Sequence, residues 1–141
     1  MKTQTELAHV YEVYIRTTPQ KLWQALTDGK TSKEYFYGGT LTSDWKVGSS
    51  MDLVDVEAGR TMLVNRILEI DPPRVLSYSW FANWHENPSQ QTIVRWELIP
   101  TKSGTRLKVV HSGLLPIPGA CQGYSQGWPG LVQSLKDFVE K

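Results

Sequence analysis

The sequence predicts an α+β fold in which a long C-terminal helix covers the concave face of a curved, seven-stranded antiparallel sheet. The C-terminal residues carry one apolar stripe at helical spacing, whereas residues 40–112 mostly alternate at the two-residue period of strands. Short turns rich in Gly and Pro separate these strands, so consecutive strands must run antiparallel. Helices set apart from a run of strands in this way indicate helices gathered on one face of a sheet.

Length and composition indicate a single domain, residues 1–141, that does not bind nucleic acid. The chain has 15 basic and 14 acidic side chains, so it lacks the positive charge of a phosphate-binding domain. Its one cysteine, Cys121, excludes an internal disulfide and a cysteine zinc site. Residues 1–10 contain no apolar run of signal-peptide length. No stretch reaches the ~20 apolar residues of a membrane span, so we expect a cytoplasmic protein without stable membrane insertion.

The N-terminal part of the chain predicts one strand followed by two short helices. Alternate residues are apolar across His9–Arg16, as in a half-buried strand. Thr18 then suits an N-cap and Pro19 suits the first helical position, which predicts a helix that ends near Asp28. A second helical turn, beginning at residue 31 or 32, carries Tyr35 and Phe36.

Six further strands complete the predicted sheet. They are Thr40–Trp45, Ser49–Val56, Arg60–Ile70, Val75–Phe81, Thr92–Ile99 and Thr105–Ser112. Alternation places Trp96 and His111 on the face that meets the C-terminal helix. In the strand at residues 75–81, either Tyr78 and Trp80 point inward, or Phe81 and the intervening serines do. The strand at residues 49–56 leaves the same choice open.

The C-terminal helix contains a local conflict at Pro129. Its apolar stripe consists of Tyr124, Trp128, Leu131, Val132, Leu135, Phe138 and Val139. Proline in a helix interior costs roughly 3 kcal/mol, but little in the first turn. We therefore expect regular helix from Pro129 to Glu140, preceded by a loose turn or by a kinked extension. Residues 113–123 are expected to form a loop whose leucines, Leu115 among them, cover the end of a cavity.

Five segments resemble a known superfamily. They are TTPQKLWQALTD (Thr17–Asp28), DWKVGSS (Asp44–Ser50), ILEIDPPRVLSYSW (Ile67–Trp80), GTRLKVVHSGL (Gly104–Leu114) and GWPGLVQSL (Gly127–Leu135). Together with the order of the elements, they resemble the SRPBCC, or START-like, superfamily, and within it the group named for the activator of heat-shock protein 90 ATPase. The resemblance covers about His9 to Val139. It implies the helix-grip fold of the birch-pollen-allergen type, with a cavity between the C-terminal helix and the sheet. Because this fold hosts lipid carriers, cyclases, hormone receptors and co-chaperone domains, it specifies the architecture more than the function.

Residues with catalytic or metal-binding chemistry form no recognisable motif. The three histidines, His9, His85 and His111, lack metal-ligand spacing, and Cys121 has no evident histidine partner. The chain contains no nucleophile elbow, phosphate loop or dinucleotide fingerprint, so we expect no cofactor and assign no catalytic residue. His111 is either a hydrogen-bonded core residue or a polar group at the wall of a ligand space. The inward tryptophans are likewise either core or cavity wall.

Three functions are compatible with these features in a monomer or homodimer. The first is binding of a small apolar or aromatic, lipid-like ligand between the C-terminal helix and the sheet. The second, implied by the resemblance, is binding to the chaperone heat-shock protein 90 with stimulation of its ATPase. The third is a cyclase- or hydrolase-like enzyme that uses the same cavity. The residues predicted to contact a ligand are Met51, Tyr78, Trp80, Trp96, His111, Leu115, Tyr124 and Trp128.

Overall fold

The computed structural model of the protein describes residues 8–28, 31–32, 35, 39–55, 57, 59–80, 92–112 and 120–140, with side chains outside that description at residues 8–9, 60–64 and 120–127. The strands are β1 (Ala8–Ile15), β2 (Thr40–Ser43), β3 (Ser50–Asp55), β4 (Arg60–Asp71), β5 (Val75–Trp80), β6 (Thr92–Pro100) and β7 (Thr105–Ser112). The helices are α1 (Pro19–Thr27) and α2 (Ala120–Val139).

All seven strands form one antiparallel sheet in the order β1-β7-β6-β5-β4-β3-β2. The chain therefore brings its first strand beside its last one, and neighbours in sequence lie side by side elsewhere. This arrangement confirms the predicted α+β helix-grip architecture. In the part of the chain that the structure describes, no helix combines the length and hydropathy that a membrane span requires.

The start of α1 follows its sequence signals. Thr18 is the N-cap, and its hydroxyl accepts a hydrogen bond from the Lys21 backbone N–H at 3.2 Å. Pro19 occupies the first turn, where its missing N–H has no helical partner to lose. Residues 31, 32 and 35 are helical, in agreement with the predicted second turn, whereas Phe36 lies outside the described residues.

The prediction that regular helix begins at Pro129 is wrong. Helix α2 starts at Ala120 and runs through Pro129 without interruption, so the proposed extension is the correct alternative. The proline removes only its own hydrogen bond. The buried side chains that follow it, Leu131, Val132 and Leu135, hold the helix against the sheet and offset that local cost. Residues 120–123, assigned to a loop from the sequence, are therefore helical.

The inner faces that the sequence left open are now defined. Tyr78 and Trp80 are buried on β5, and Met51 and Leu53 are buried on β3. Ser79, between the two aromatic residues, is only partly buried. The large side chains of both strands therefore point into the core, as expected when burial of an apolar side chain outweighs burial of a serine.

The C-terminal end of α2 is tied to the end of β1. The Glu140 carboxylate accepts a hydrogen bond from the Arg16 backbone N–H at 2.8 Å. The Arg16 guanidinium also lies 3.7 Å from this carboxylate, but it is mostly exposed and adds little. The hydrogen bond between the Arg16 N–H and the Glu140 carboxylate fixes where the last turn of the helix meets the sheet.

Gly104, in the β6–β7 turn, is expected to tolerate no side chain. A Cβ at this position would lie 2.5 Å from the Ile15 carbonyl oxygen and 2.7 Å from the Tyr14 hydroxyl oxygen. Gly104→Ala should therefore lower the free energy of unfolding by about 1–3 kcal/mol, measured by urea denaturation.

Gly130 provides the matched control for that substitution. It lies in α2, and a Cβ there would meet nothing within 4 Å. Gly130→Ala should raise the free energy of unfolding by about 0.5–1 kcal/mol, because alanine loses less backbone entropy on folding. A Gly104→Ala protein as stable as the wild type would show that the turn moves away from β1 at no cost.

Tyr35 is expected to make stability fall in alkaline solution. Burial, and secondarily the nearby Tyr78 and Asp28, raise the pKa of Tyr35 well above its ordinary value. In the folded state its hydroxyl donates to the Ala25 carbonyl oxygen at 2.8 Å. Since the unfolded chain ionises this phenol near pH 10, the stabilising contribution is complete below about pH 10 and is lost as the pH rises further.

The corresponding measurement is urea denaturation of the wild-type and Tyr35→Phe proteins between about pH 8 and pH 11. We expect the wild-type stability to fall more steeply above pH 10, by up to about 1.4 kcal/mol per pH unit for one group. Other tyrosines titrate in both proteins, so the difference between the two curves is the informative quantity. Parallel curves would contradict the assignment.

Candidate functional site

Five buried rings lie together where α2 crosses the concave face of the sheet. We call them the aromatic cluster: Tyr78, Trp80, Trp96, His111 and Trp128. Each of these residues is at most 2% exposed. Alternation predicts an inner-face position for Trp96 and His111 and leaves Tyr78 and Trp80 undecided. Trp128 belongs to the apolar stripe of the C-terminal helix. The structure brings all five into one group.

Strand register explains how the sheet assembles its part of the cluster. Tyr78 pairs with Val94, and Val94 pairs with His111, so β5, β6 and β7 place these residues in one row. Trp80 pairs with Thr92 in the next row. Because alternate residues of each strand face the same way, the row around Thr92 also points toward α2.

Trp128 fills the space between the sheet residues and the helix. Its ring centroid lies 5.6 Å from that of Trp80, 5.5 Å from that of Trp96 and 5.7 Å from that of His111. The rings of Trp96 and His111 meet Trp128 edge-on, at interplanar angles of 84° and 78°. Edge-to-face contact is a preferred geometry of aromatic pairs and contributes about 0.5–1.5 kcal/mol beyond burial of area.

A directional chain of hydrogen bonds joins the helix to three strands. The Trp128 indole N–H donates to His111 Nδ1 at 3.0 Å. His111 Nε2 and the Thr92 hydroxyl lie 2.6 Å apart, and the same hydroxyl lies 3.1 Å from the Trp80 carbonyl oxygen. We call this chain, from Trp128 through His111 to Thr92, the polar bridge.

The chemistry of the partners fixes the direction of each bond. An indole nitrogen can only donate, so His111 Nδ1 must accept and carries no proton. The proton of the neutral imidazole is therefore on Nε2, which donates to the Thr92 hydroxyl oxygen. The Thr92 hydroxyl in turn donates to the Trp80 carbonyl oxygen. Both ring nitrogens of His111 are thus engaged, which leaves neither as an evident general base for the enzymatic alternative.

A second internal hydrogen bond joins two rings of the sheet. The Trp96 indole N–H donates to the Tyr78 hydroxyl oxygen at 2.9 Å. A buried N–H without a partner costs about 1–3 kcal/mol, so these bonds remove a large penalty for placing indoles inside the protein. They also specify one orientation for each ring.

The remaining predicted ligand residues have different outcomes. Met51 is fully buried on β3, which β4 separates from the cluster strand β5. Tyr124 belongs to α2, but its side chain lies outside the described part of the chain. Leu115 lies outside the described residues altogether. A role of these residues in ligand binding stays a prediction.

Thr92 is the site residue that the sequence analysis missed. Alternation places it on the inner face of its strand, but the sequence alone assigns it no role. The available sequence signal was a hydroxyl in an otherwise apolar set, because Thr92 precedes Val94, Trp96 and Leu98 at alternate positions. In the structure Thr92 is 1% exposed. A buried hydroxyl on such a face requires a partner, and the partner here is His111.

Two open grooves lie at the other end of the molecule, where α1 meets the end of α2. One has a volume of about 470 Å³ and is lined by the β1–α1 and β6–β7 connections, the start of α1 and the end of α2, with Arg16, Lys21 and Lys102 among its residues. The other, of about 280 Å³, includes Asp28 and Phe138. Of the eight predicted ligand residues, the six whose side chains the structure describes line neither groove.

Across the described ranges, no three His, Cys, Asp or Glu side chains group as a metal site would require. Several acidic residues of the sheet instead form ion pairs with basic ones. Arg95, for example, forms ion pairs with Glu69 and Glu97.

Comparison with solved structures finds the same fold across nearly the whole chain. Protein MLL2253 from Mesorhizobium loti is 28% identical, with a TM-score of 0.78, over 94% of this chain and 96% of that one. The Aha1 dimer from Colwellia psychrerythraea is 19% identical, with a TM-score of 0.79, over 95% and 96%. PFC0360w, an HSP90 activator from Plasmodium falciparum, is 22% identical, with a TM-score of 0.78, over 94% and 96%.

The sequence comparisons give the family. Comparison with curated proteins yields no match. The family model described as "Activator of Hsp90 ATPase homolog 1-like protein" matches residues 16–140, which span α1, every strand from β2 to β7 and all of α2. The match confirms the resemblance inferred from the sequence motifs, and the chain belongs to the family of Activator of Hsp90 ATPase homolog 1-like proteins.

Proposed function

We propose that the protein binds a small apolar or aromatic molecule between α2 and the concave face of the sheet. The observation that carries this proposal is the aromatic cluster, a buried group of rings under α2 with a polar bridge at its centre. Ligand sites in proteins are mostly apolar and aromatic, with a few polar groups that orient the ligand. The cluster has this composition, and the helix-grip fold places it under α2.

The energetics favour an aromatic ligand over a polar one. A ligand that buries about 200 Å² of its own apolar surface against the rings gains about 5 kcal/mol, at ~25 cal/mol per Å². Loss of translational freedom and displacement of internal contacts oppose this gain. A polar ligand has less apolar surface to bury against Trp80 and Trp96, both of which are buried, so it gains less from this term.

The proposal is tested by titrating the wild-type protein with naphthalene derivatives while following tryptophan fluorescence and thermal unfolding. We expect a saturable change in fluorescence and a rise in Tm on the order of 5–10 °C at ligand concentrations near 100 times Kd. An unchanged spectrum together with an unchanged Tm at probe saturation would overturn ligand binding.

Matched variants locate the response within the protein. Trp96→Phe should reduce the fluorescence change, because it removes one indole of the cluster. Trp23→Phe is the control, since Trp23 lies partly buried on α1 and makes none of the ring contacts described for the cluster. A response lost equally in both variants would show that the probe binds elsewhere.

A second candidate function is stimulation of an Hsp90-type chaperone, which the family match supports. The contacts would then use the outer surface, where charged side chains such as Arg95, Glu97 and Glu69 cross the sheet. The test measures the ATPase rate of a purified Hsp90-type chaperone with and without the protein. Stimulation that persists in Trp96→Phe but falls in Arg95→Glu would support this function, and an unchanged ATPase rate at saturating protein would reject it.

A further inference from the structure

We infer that the ligand space selects planar aromatic molecules that carry one N–H or O–H donor, such as indoles and phenols, and that this donor bonds to His111 Nδ1. The inference rests on the proposed function and adds the chemical class of the ligand. Its basis is that the protein already holds one such group in place: the indole of its own Trp128.

The surroundings of the Trp128 indole have the properties of an aromatic slot. Trp80, Trp96 and His111 surround it at centroid distances of 5.5–5.7 Å, and two of the three contacts are edge-on. Trp128 itself is 2% exposed, so the slot encloses a bicyclic ring almost completely. A planar molecule of similar size would find the same ring edges and faces there.

The polar chemistry of the slot is one-sided. His111 Nδ1 faces the ring in the slot as an acceptor, because Nε2 carries the proton and donates to Thr92. The Thr92 hydroxyl is in turn directed to the Trp80 carbonyl oxygen, which holds this arrangement of protons in place. An occupant without an N–H or O–H donor would leave His111 Nδ1 buried without a hydrogen bond. This penalty lowers the affinity for such an occupant.

The chain next to Trp128 is suited to releasing this ring. Pro129 lacks an N–H, so the carbonyl four residues earlier receives no helical hydrogen bond from it. Gly130 follows, on the exposed side of α2, and a Cβ at that position would meet nothing within 4 Å. One helical hydrogen bond is therefore absent in the turn that contains Trp128, and a backbone rotation there would withdraw the indole from His111.

The test compares indole with benzothiophene, which has nearly the same shape but replaces the N–H by sulfur. In the Trp128→Ala protein, whose slot lacks its own ring, we expect indole to bind about three- to tenfold more tightly, the factor that one neutral hydrogen bond provides. Binding is measured by titration calorimetry and by the rise in Tm. Benzothiophene is the less polar compound, so hydrophobicity alone would give the opposite order.

Two further proteins make the comparison specific. Adding His111→Leu to Trp128→Ala should abolish the preference for indole, because Nδ1 is then absent. Trp128→Leu leaves a partly filled slot and serves if the alanine variant does not fold; it should show the same preference with weaker binding. Equal affinities for the two compounds, or tighter binding of benzothiophene, would overturn the inference.

The wild-type protein separates this inference from the proposed function. Binding of both compounds with indole ahead supports the inference, with lower affinity than in Trp128→Ala because the native ring must leave first. If the wild type binds both compounds equally well, the donor preference is refuted and the proposed ligand binding stands. If it binds neither at saturation, Trp128 does not leave the slot and the proposed function itself is overturned.

Discussion

Trp128→Ala is expected to lower the free energy of unfolding by about 3–5 kcal/mol, the range measured for removal of large buried aromatic side chains. The substitution empties the centre of the aromatic cluster and breaks the only described hydrogen bond of the polar bridge that comes from α2. A domain of this size is typically stable by about 5–15 kcal/mol, so the variant should fold but unfold at much lower urea. Urea denaturation followed by far-UV circular dichroism measures the change.

Trp128→Phe is the matched control for this prediction. It retains a ring between Trp80 and Trp96 but lacks the N–H that bonds His111. We expect a loss of about 1–3 kcal/mol, smaller than that of the alanine variant, because part of the packing survives. If alanine costs less than about 1 kcal/mol, the sheet and helix close over the missing ring, and the cluster does not fix the position of α2.

His111→Leu is expected to lower the free energy of unfolding by about 2–4 kcal/mol although leucine is apolar and fits a core. The Trp128 N–H would be left buried without its acceptor, and the Thr92 hydroxyl would lose one of its two described partners. An orphaned buried donor costs about 1–3 kcal/mol, and the lost hydrogen bonds add to it. His111→Gln, which keeps an acceptor and a donor, should lose less.

The double variant His111→Leu/Trp128→Phe separates the hydrogen bond from packing. Phenylalanine has no N–H to orphan, so the two substitutions together should cost about 1–2 kcal/mol less than the sum of the single losses. Additive losses would show that the bond between the indole N–H and His111 Nδ1 contributes nothing to stability. Equilibrium urea unfolding of all four proteins provides the cycle.

Much of the fold was predictable from the sequence because its patterns are unambiguous over whole elements. The strand β7 matches its predicted range, Thr105–Ser112, since apolar and polar residues alternate along most of it. The start of α1 was also predictable, because capping by Thr18 and the position of Pro19 depend only on neighbouring residues. The start of α2 was mispredicted because a local rule about Pro129 was applied where burial of the residues around it decides the outcome.

The site was predictable in part for the same reason. Alternation places Trp96 and His111 on the inner face because each lies in step with apolar residues two positions away along its strand. It leaves Tyr78 and Trp80 undecided, since serines on the opposite face fit either arrangement. The polar bridge could not be predicted from one strand, because it requires the register of β5 against β6 and of β6 against β7, together with the rotation of α2 about its axis.

The pairing of β1 with β7 has a consequence for synthesis of the protein on the ribosome. Ile15 lies opposite Thr105, so about 90 residues must be translated before the first strand meets its partner. At roughly 5–20 residues per second, the nascent β1 waits about 5–20 seconds with its hydrogen-bonding groups unpaired. Stalled or prematurely terminated chains that end before β7 therefore lack a complete sheet, and proteases or chaperones that bind extended segments would meet β1 in that interval.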